Sequence, residues 1–205
     1  MPPATTTQMS TEGRGDYETD SRWTSIDAYT MSHLHPPSRP NHSALTRTLR
    51  ACDAHGLPDI GCPSPLGKSF ALQCRMLGVR RALERRTRPS APGADVLPRL
   101  HAEVESGARE RFGFAFIDAD KVNNHRYFDW AVRMSVPGAC ICVDNVVSKG
   151  KLAMAEEAAR NDMVRGAREC VERVGADERV EATVLQTEGE KDYDGYVCSA
   201  AFGAL

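Results

Sequence analysis

The stretch "FAFIDADKVNNHRYFDWA", Phe114–Ala131, opens as an apolar run and then places Asp118, Asp120 and Lys121 within four positions. An apolar run that ends in charge predicts a buried strand over 112–118, and the pattern after it predicts a helix over 124–134. The same grammar returns in "ACICVDNVV", residues 139–147, where a strand predicted over 139–144 ends in Asp144 with Asn145 beside it. In open parallel sheets, ligands sit outside the carboxyl ends of the strands. If the two strands are sheet neighbours, about 4.8 Å apart, the side chains of Asp118, Asp144 and Asn145 converge. Two carboxylates and one amide oxygen, with no histidine or thiolate, suit a hard divalent cation such as Mg²⁺, Mn²⁺ or Ca²⁺ better than zinc.

Each residue also has a plainer reading. Asp118 or Asp144 taken singly reads as the cap of the helix that follows, and Lys121 as a solvated first-turn lysine. Repetition of the strand-then-acid ending on consecutive strands is what favours the metal. A bare Asp-x-Asp, Asp118 to Asp120, also suggests a metal-dependent glycosyltransferase, but no sugar-nucleotide signal accompanies it.

Downstream, helices are expected across 151–174 and strands over 180–186 and 193–200. Strands alternating with helices predict an α/β fold with a mainly parallel sheet covered on both faces. The last two strands are joined only by "TEGEKD", too short for a helical crossover, so they should form an antiparallel hairpin. Upstream, a short helix over 23–34 is broken by "HPPSRPN", where each proline removes an amide donor and fixes φ. His33 and His35 beside it read as surface residues. "HSALTRTLRACDAHG" puts Leu45, Leu49 and Cys52 on one helical face, with Gly56 as its stop. A further helix from about Pro65 aligns Leu66, Phe70, Cys74 and Leu77 and ends at Gly78. Gly67-Lys68-Ser69 invites a phosphate-loop reading, yet that motif needs a glycine where Cys62 stands, and two prolines remove the cradling amides.

With 205 residues, 41% hydrophobic and 26% charged, the chain suits one globular domain over 22–205 behind a polar, disordered tail over 1–21. The tail's Arg-Gly-Asp, Arg14 to Asp16, reads as a chance tripeptide. A net charge of -2 leaves no electrostatic footprint for nucleic acid. No stretch approaches the ~20 apolar residues of a membrane span, and the start lacks the basic-then-apolar pattern of a secretion signal. A cytoplasmic location is expected. The seven cysteines, at 52, 62, 74, 140, 142, 170 and 198, contain no Cys-x-x-Cys and read as reduced, mostly buried thiols. Cys140 and Cys142 should share one face of a strand.

The segment "FGFAFIDADKVNNHRYFDWAVRMSVPGACICVDNVVSKGKL" resembles the cation-dependent O-methyltransferases, the group similar to catechol and caffeoyl-CoA O-methyltransferases, with their Asp-Ala-Asp-Lys turn and later Asp-Asn pair. The likeness extends to "RWTSIDAYTMSHL", "HGLPDIGCPSPLGKSFALQCRMLGVRRALE", "GADVLPRLHAEVESG" and "LQTEGEKDYDGYVCSA", covering nearly the whole chain after residue 21. It implies a Rossmann-like methyltransferase fold and two cofactors, S-adenosyl-L-methionine and a divalent cation, Mg²⁺ by type. It also implies a small hydroxylated, aromatic or catecholic acceptor and a homodimer as a possible assembly. By position, the resemblance implies metal ligation by Asp118, Asp144 and Asn145, cofactor contact by Asp120 and Glu84, and a catalytic role for Lys121 near the acceptor hydroxyl. A cation on vicinal hydroxyls stabilises an alkoxide, and a neighbouring lysine takes the proton. Methyl transfer is then mostly a matter of positioning.

One departure is large. In the family, a glycine-rich loop follows the first strand's acid, and a second acid ends the next strand. Here "RRALE" begins that strand and Glu84 matches its acid, but "RRTRPSAPGAD" follows at once. Roughly fifty residues, about two strand-helix units, are missing before the text resumes at "GADVLP". Two function classes follow: an S-adenosylmethionine-dependent, cation-dependent O-methyltransferase, or a non-catalytic remnant that keeps the metal corner but cannot bind the cofactor. The truncation also predicts an uncovered sheet edge.

Overall fold

The computed structural model describes residues 20–57, 61–86, 93–189 and 193–202. Five strands form one sheet: β1 (Ala82–Arg86), β2 (Phe112–Asp118), β3 (Ser135–Val143), β4 (Val180–Glu188) and β5 (Tyr193–Ala201). Their spatial order is β1-β2-β3-β5-β4. β1 pairs parallel with β2 and β2 parallel with β3, while β5 runs antiparallel to both β3 and β4. Four strands therefore point one way and β5 alone is reversed, as the sequence predicts for a mainly parallel sheet closed by a hairpin.

Seven helices accompany the sheet among the described residues: α1 (Ser21–Leu34), α2 (His42–Ala54), α3 (Ser64–Met76), α4 (Gly93–Glu105), α5 (Asn124–Met134), α6 (Ala155–Arg160) and α7 (Asp162–Gly175). Alternation along the strands splits the apolar side chains between two faces. On one, Ala115 and Ile117 of β2 and Ile141 and Val143 of β3 pack with Phe128, Ala131 and Met134 of α5 and with Cys170 and Val174 of α7. On the other, Phe114, Cys140, Cys142 and Tyr196 gather under Phe70 of α3. The Phe70 ring lies 5.0 to 5.7 Å from the rings of Phe114, Phe116 and Tyr196. A proline at the start of α3 fits that helix's first turn, and Gly78, at φ 62°, follows its end.

Three expectations change. β3 starts at Ser135, immediately after α5, rather than at 139. The Ser135 hydroxyl donates to the Ala131 carbonyl at 2.7 Å, and the register to β2 slips between Phe112 and Phe114. That irregularity absorbs Pro137 and Gly138, the latter at φ 79°. The apolar face of α2 is not core: Leu45 and Leu49 are 63% and 62% exposed, and neither α1 nor α2 contributes a buried residue. Only Cys140, Cys142 and Cys170 are buried, while the other four cysteines are partly exposed. Residues 1–19 of the expected tail, with Arg14–Asp16, and the seam over 87–92 lie outside the described residues, while Ser21 already opens α1. No helix among the described residues is long and apolar enough to cross a membrane.

Candidate active site and metal centre

Parallel pairing of β2 with β3 aligns Ile117 with Val143, so the next residues, Asp118 and Asp144, leave the sheet side by side. The Asp144 amide still donates to the Ile117 carbonyl at 2.9 Å, which extends the pairing one step beyond β3. Asn145 then turns at φ 53°, a left-handed conformation that asparagine tolerates better than most residues.

Lys121 stands where these groups meet. Its ammonium donates to Asp118 Oδ1 at 3.4 Å, to the Asp144 carbonyl at 3.1 Å and to Asn145 Oδ1 at 3.1 Å. All three N–H groups are thereby used in a residue only 8% exposed. The lysine arrives on a single 3-10 turn, Lys121–Asn123, that links β2 to α5. Asp144 is 7% exposed, and burial raises its carboxyl to about 6; the charges of Asp118 and Asp194 push the same way, against its bond from the Asn145 amide and the charge of Lys121.

The oxygens of Asp118, Asp144 and Asn145 fit a hard cation on three observations. They are all-oxygen donors, two of them already surround a positive charge, and the buried Asp144 carboxyl, raised by burial and by the nearby charge of Asp118, favours more positive charge than one ammonium supplies. In this respect the Lys121 ammonium is a stand-in for the ion.

The two positions expected to meet the cofactor lie differently. Asp120 caps the 3-10 turn: Oδ1 accepts from the Asn123 amide at 3.2 Å and from Asn123 Nδ2 at 2.6 Å, and Oδ2 accepts from the Tyr127 hydroxyl at 2.6 Å. The guanidinium of Arg85 sits 4.9 Å from the Tyr127 ring centroid, tying β1 to the same turn. Glu84 is exposed on β1, opposite Phe116, and β1 is an edge of the sheet.

Two supporting residues escaped the sequence reading. Asp194 accepts from the amides of Val147, Ser148 and Gly195 at 3.1, 3.0 and 2.8 Å, and so holds the loop after Asn145, where Ser148 and Lys149 also have positive φ. Its burial raises its carboxyl above the ordinary value. Asp194 falls inside the strand predicted over 193–200, and only the pairing of β5 beside β3 brings it here. Gly166 of α7 is the second. A Cβ there would lie 2.4 Å from the Lys121 carbonyl oxygen and 2.7 Å from Val122 Cα. The helix therefore presses directly on the turn that carries the lysine.

The chain as a whole is similar to known proteins. A protein-family model described as O-methyltransferase matches residues 82–190. O-methyltransferase imqG of Aspergillus flavus is 42% identical over 243 aligned positions, which take in 96% of this chain and 98% of that protein. A catechol O-methyltransferase of Mycobacterium tuberculosis is 32% identical over 193 positions, covering 75% of this chain and 86% of its own. Among solved structures, the O-methyltransferase from Bacillus cereus in complex with SAH superposes with a TM-score of 0.75 at 28% identity, covering 88% of this chain and 98% of that one. The alignment to the Aspergillus protein is longer than the 205 residues here, so that relative has residues without a counterpart in this chain. With more than half of its length matched by the family model and nearly all of it aligned to a relative 42% identical, the chain belongs to the O-methyltransferase family of enzymes.

Proposed function

We propose that this chain is built for S-adenosylmethionine-dependent, divalent-cation-dependent methyl transfer to a hydroxyl of a small aromatic or catecholic acceptor. The observation that carries the reading is the convergence of Asp118 Oδ1 and Asn145 Oδ1 on one buried positive charge beside Asp144. Asp118, Asp144 and Asn145 would hold the cation, Mg²⁺ by donor type, whose charge would favour ionisation of a hydroxyl placed against it. Once those oxygens are given over to a cation, Lys121 keeps only the Asp144 carbonyl of its three acceptors. As the free amine, having given up one proton to solvent, its Nζ would then turn to the acceptor hydroxyl and take the proton. Asp194 and Gly166 keep the two loops in place for this. The acceptor would lie against the segment after Asn145, "VVSKGKLAMAEE", and "HLHPPSRPN", residues 33–41.

The cofactor side fits less well. Asp120 is already bonded to Asn123 and Tyr127, Glu84 is exposed on an edge strand, and no glycine-rich loop follows β1 in the sequence. With that side open, the described residues support the acceptor half of the reaction only. The truncated edge favours a second reading, a non-catalytic remnant that retains the cation site.

One assay separates the two. The chain is incubated with methyl-labelled S-adenosylmethionine, Mg²⁺ and a panel of catechols, hydroxycinnamoyl thioesters and flavonoids. Label transfer that disappears on chelation and in Asp144→Ala supports the enzyme. Transfer that survives chelation contradicts the metal reading, and no transfer to any acceptor supports the remnant.

A further inference from the structure

On the α3 side of the sheet, five of the seven cysteines share one small cluster: Cys140 and Cys142 of β3, Cys198 of β5, Cys74 of α3 and Cys62 just before it. Register explains the inner three. Cys142 lies directly opposite Cys198 in the antiparallel ladder, and Cys140 is two residues along the same strand, on the same face. The Sγ atoms of Cys140 and Cys142 are 3.7 Å apart and those of Cys140 and Cys198 are 3.9 Å apart. All three lie within 4.8 Å of one another.

That spacing has a chemical meaning. With metal–sulfur bonds of about 2.3 Å, two thiolates on one tetrahedral ion sit about 3.8 Å apart. Three sulfurs at this separation can be bridged by one ion with little movement of the strands. A disulfide, by contrast, would pull two of them to about 2.05 Å and strand the third. The side facing α3 supplies the remaining position: Gln73 Oε1 already accepts from Cys140 Sγ at 3.5 Å, and Cys74 follows Gln73 in the same helix. Cys198 and Cys74 are partly exposed, which gives an ion a way in. None of these groups takes part in the oxygen site at the strand ends, and soft sulfur donors select a different class of ion.

We propose that Cys140, Cys142 and Cys198 form a second metal site, a three-thiolate site for a thiophilic divalent ion of the zinc class, completed from α3. The site ties β3 and β5 to α3 across an otherwise apolar layer, so ion binding stabilises the fold.

The test is titration of the full reduced chain with Cd²⁺ as probe, in excess Mg²⁺ to occupy the oxygen site, following thiolate-to-metal charge-transfer absorption. One equivalent is expected to saturate the signal. The signal should vanish in Cys198→Ser and Cys142→Ala, and persist in Cys52→Ser and in Asp144→Ala. Absence of the signal in the wild type, or its persistence in Cys198→Ser, overturns the site. Should the cluster variants fail to fold by circular dichroism, alkylation of the wild type decides. Zn²⁺ is expected to slow iodoacetamide labelling of Cys198, read by peptide mass spectrometry, at least tenfold. Labelling unaffected by Zn²⁺, or a mass showing a Cys142–Cys198 disulfide in its place, overturns the proposal.

Discussion

Asp144 bears an electrostatic cost to folding that a bound cation would offset. Its carboxyl rises from 3.8 to about 6 because the folded chain removes it from water and sets it near Asp118 and Asp194. A raised acid holds its proton in the native state after the unfolded state has lost it. Stability from this group is therefore greatest below about pH 4, falls as pH rises to about 6, and is level above. The loss is on the order of 2–3 kcal/mol. Asp144→Asn removes this penalty while keeping an oxygen for the Asn145 amide, so the metal-free variant should melt several degrees higher at pH 7.5, at about 2–4 °C per kcal/mol for a chain of this size. It should also lose cation-dependent activity. A lower melting temperature would refute this account of the residue. Gly166 acts sterically: Gly166→Ala must push α7 off the Lys121 turn, a repacking cost of about 1–3 kcal/mol. Activity should fall well beyond what the stability loss explains, and unchanged turnover would show that the turn's position does not matter. Asp118, Lys121, Asp144 and Asn145 were legible because each is local to a strand end. Asp194 and Gly166 were not, because their roles depend on which distant segment the fold sets beside them.

At the level of elements, periodicity located the strands and helices that have sharp composition boundaries, such as β2 and α5. It missed the start of β3, since "SVPG" carries a proline and a glycine that argue against a strand unless a bulge absorbs them. It also treated two amphipathic helices alike. α3 is core, with Phe70 7% exposed against three aromatic rings, whereas α2 leaves its leucines in solvent. Phe70→Ala should cost about 3–5 kcal/mol in denaturant unfolding, and Leu45→Glu less than about 0.5 kcal/mol. A comparable loss for Leu45→Glu would mean that α2 is covered in solution. The thiol cluster was half visible: alternation put Cys140 and Cys142 on one face, but only strand order brings Cys198 opposite them.

Across the whole molecule, the sheet keeps the two strands that end at Asp118 and Asp144, and it starts at β1 on an open edge. A preformed pocket buries most of a bound ligand, and Glu84 with Asp120 falls short of one. In the presence of Mg²⁺, calorimetric titration with S-adenosylmethionine should therefore give weak or no binding, while a chain with the absent strand-helix units restored should bind and turn over. Micromolar affinity in the present chain would mean that it builds a cofactor site by another route. The strand ends of β2 and β3 are proposed to hold a hard cation through Asp118, Asp144 and Asn145. Mn²⁺ titration followed by electron paramagnetic resonance tests it without needing cofactor or acceptor. The account predicts one Mn²⁺ per chain, displaced by Mg²⁺ and lost in Asp118→Ala and Asp144→Ala variants that remain folded; no bound Mn²⁺ in the wild type, or equal binding in those variants, would contradict it.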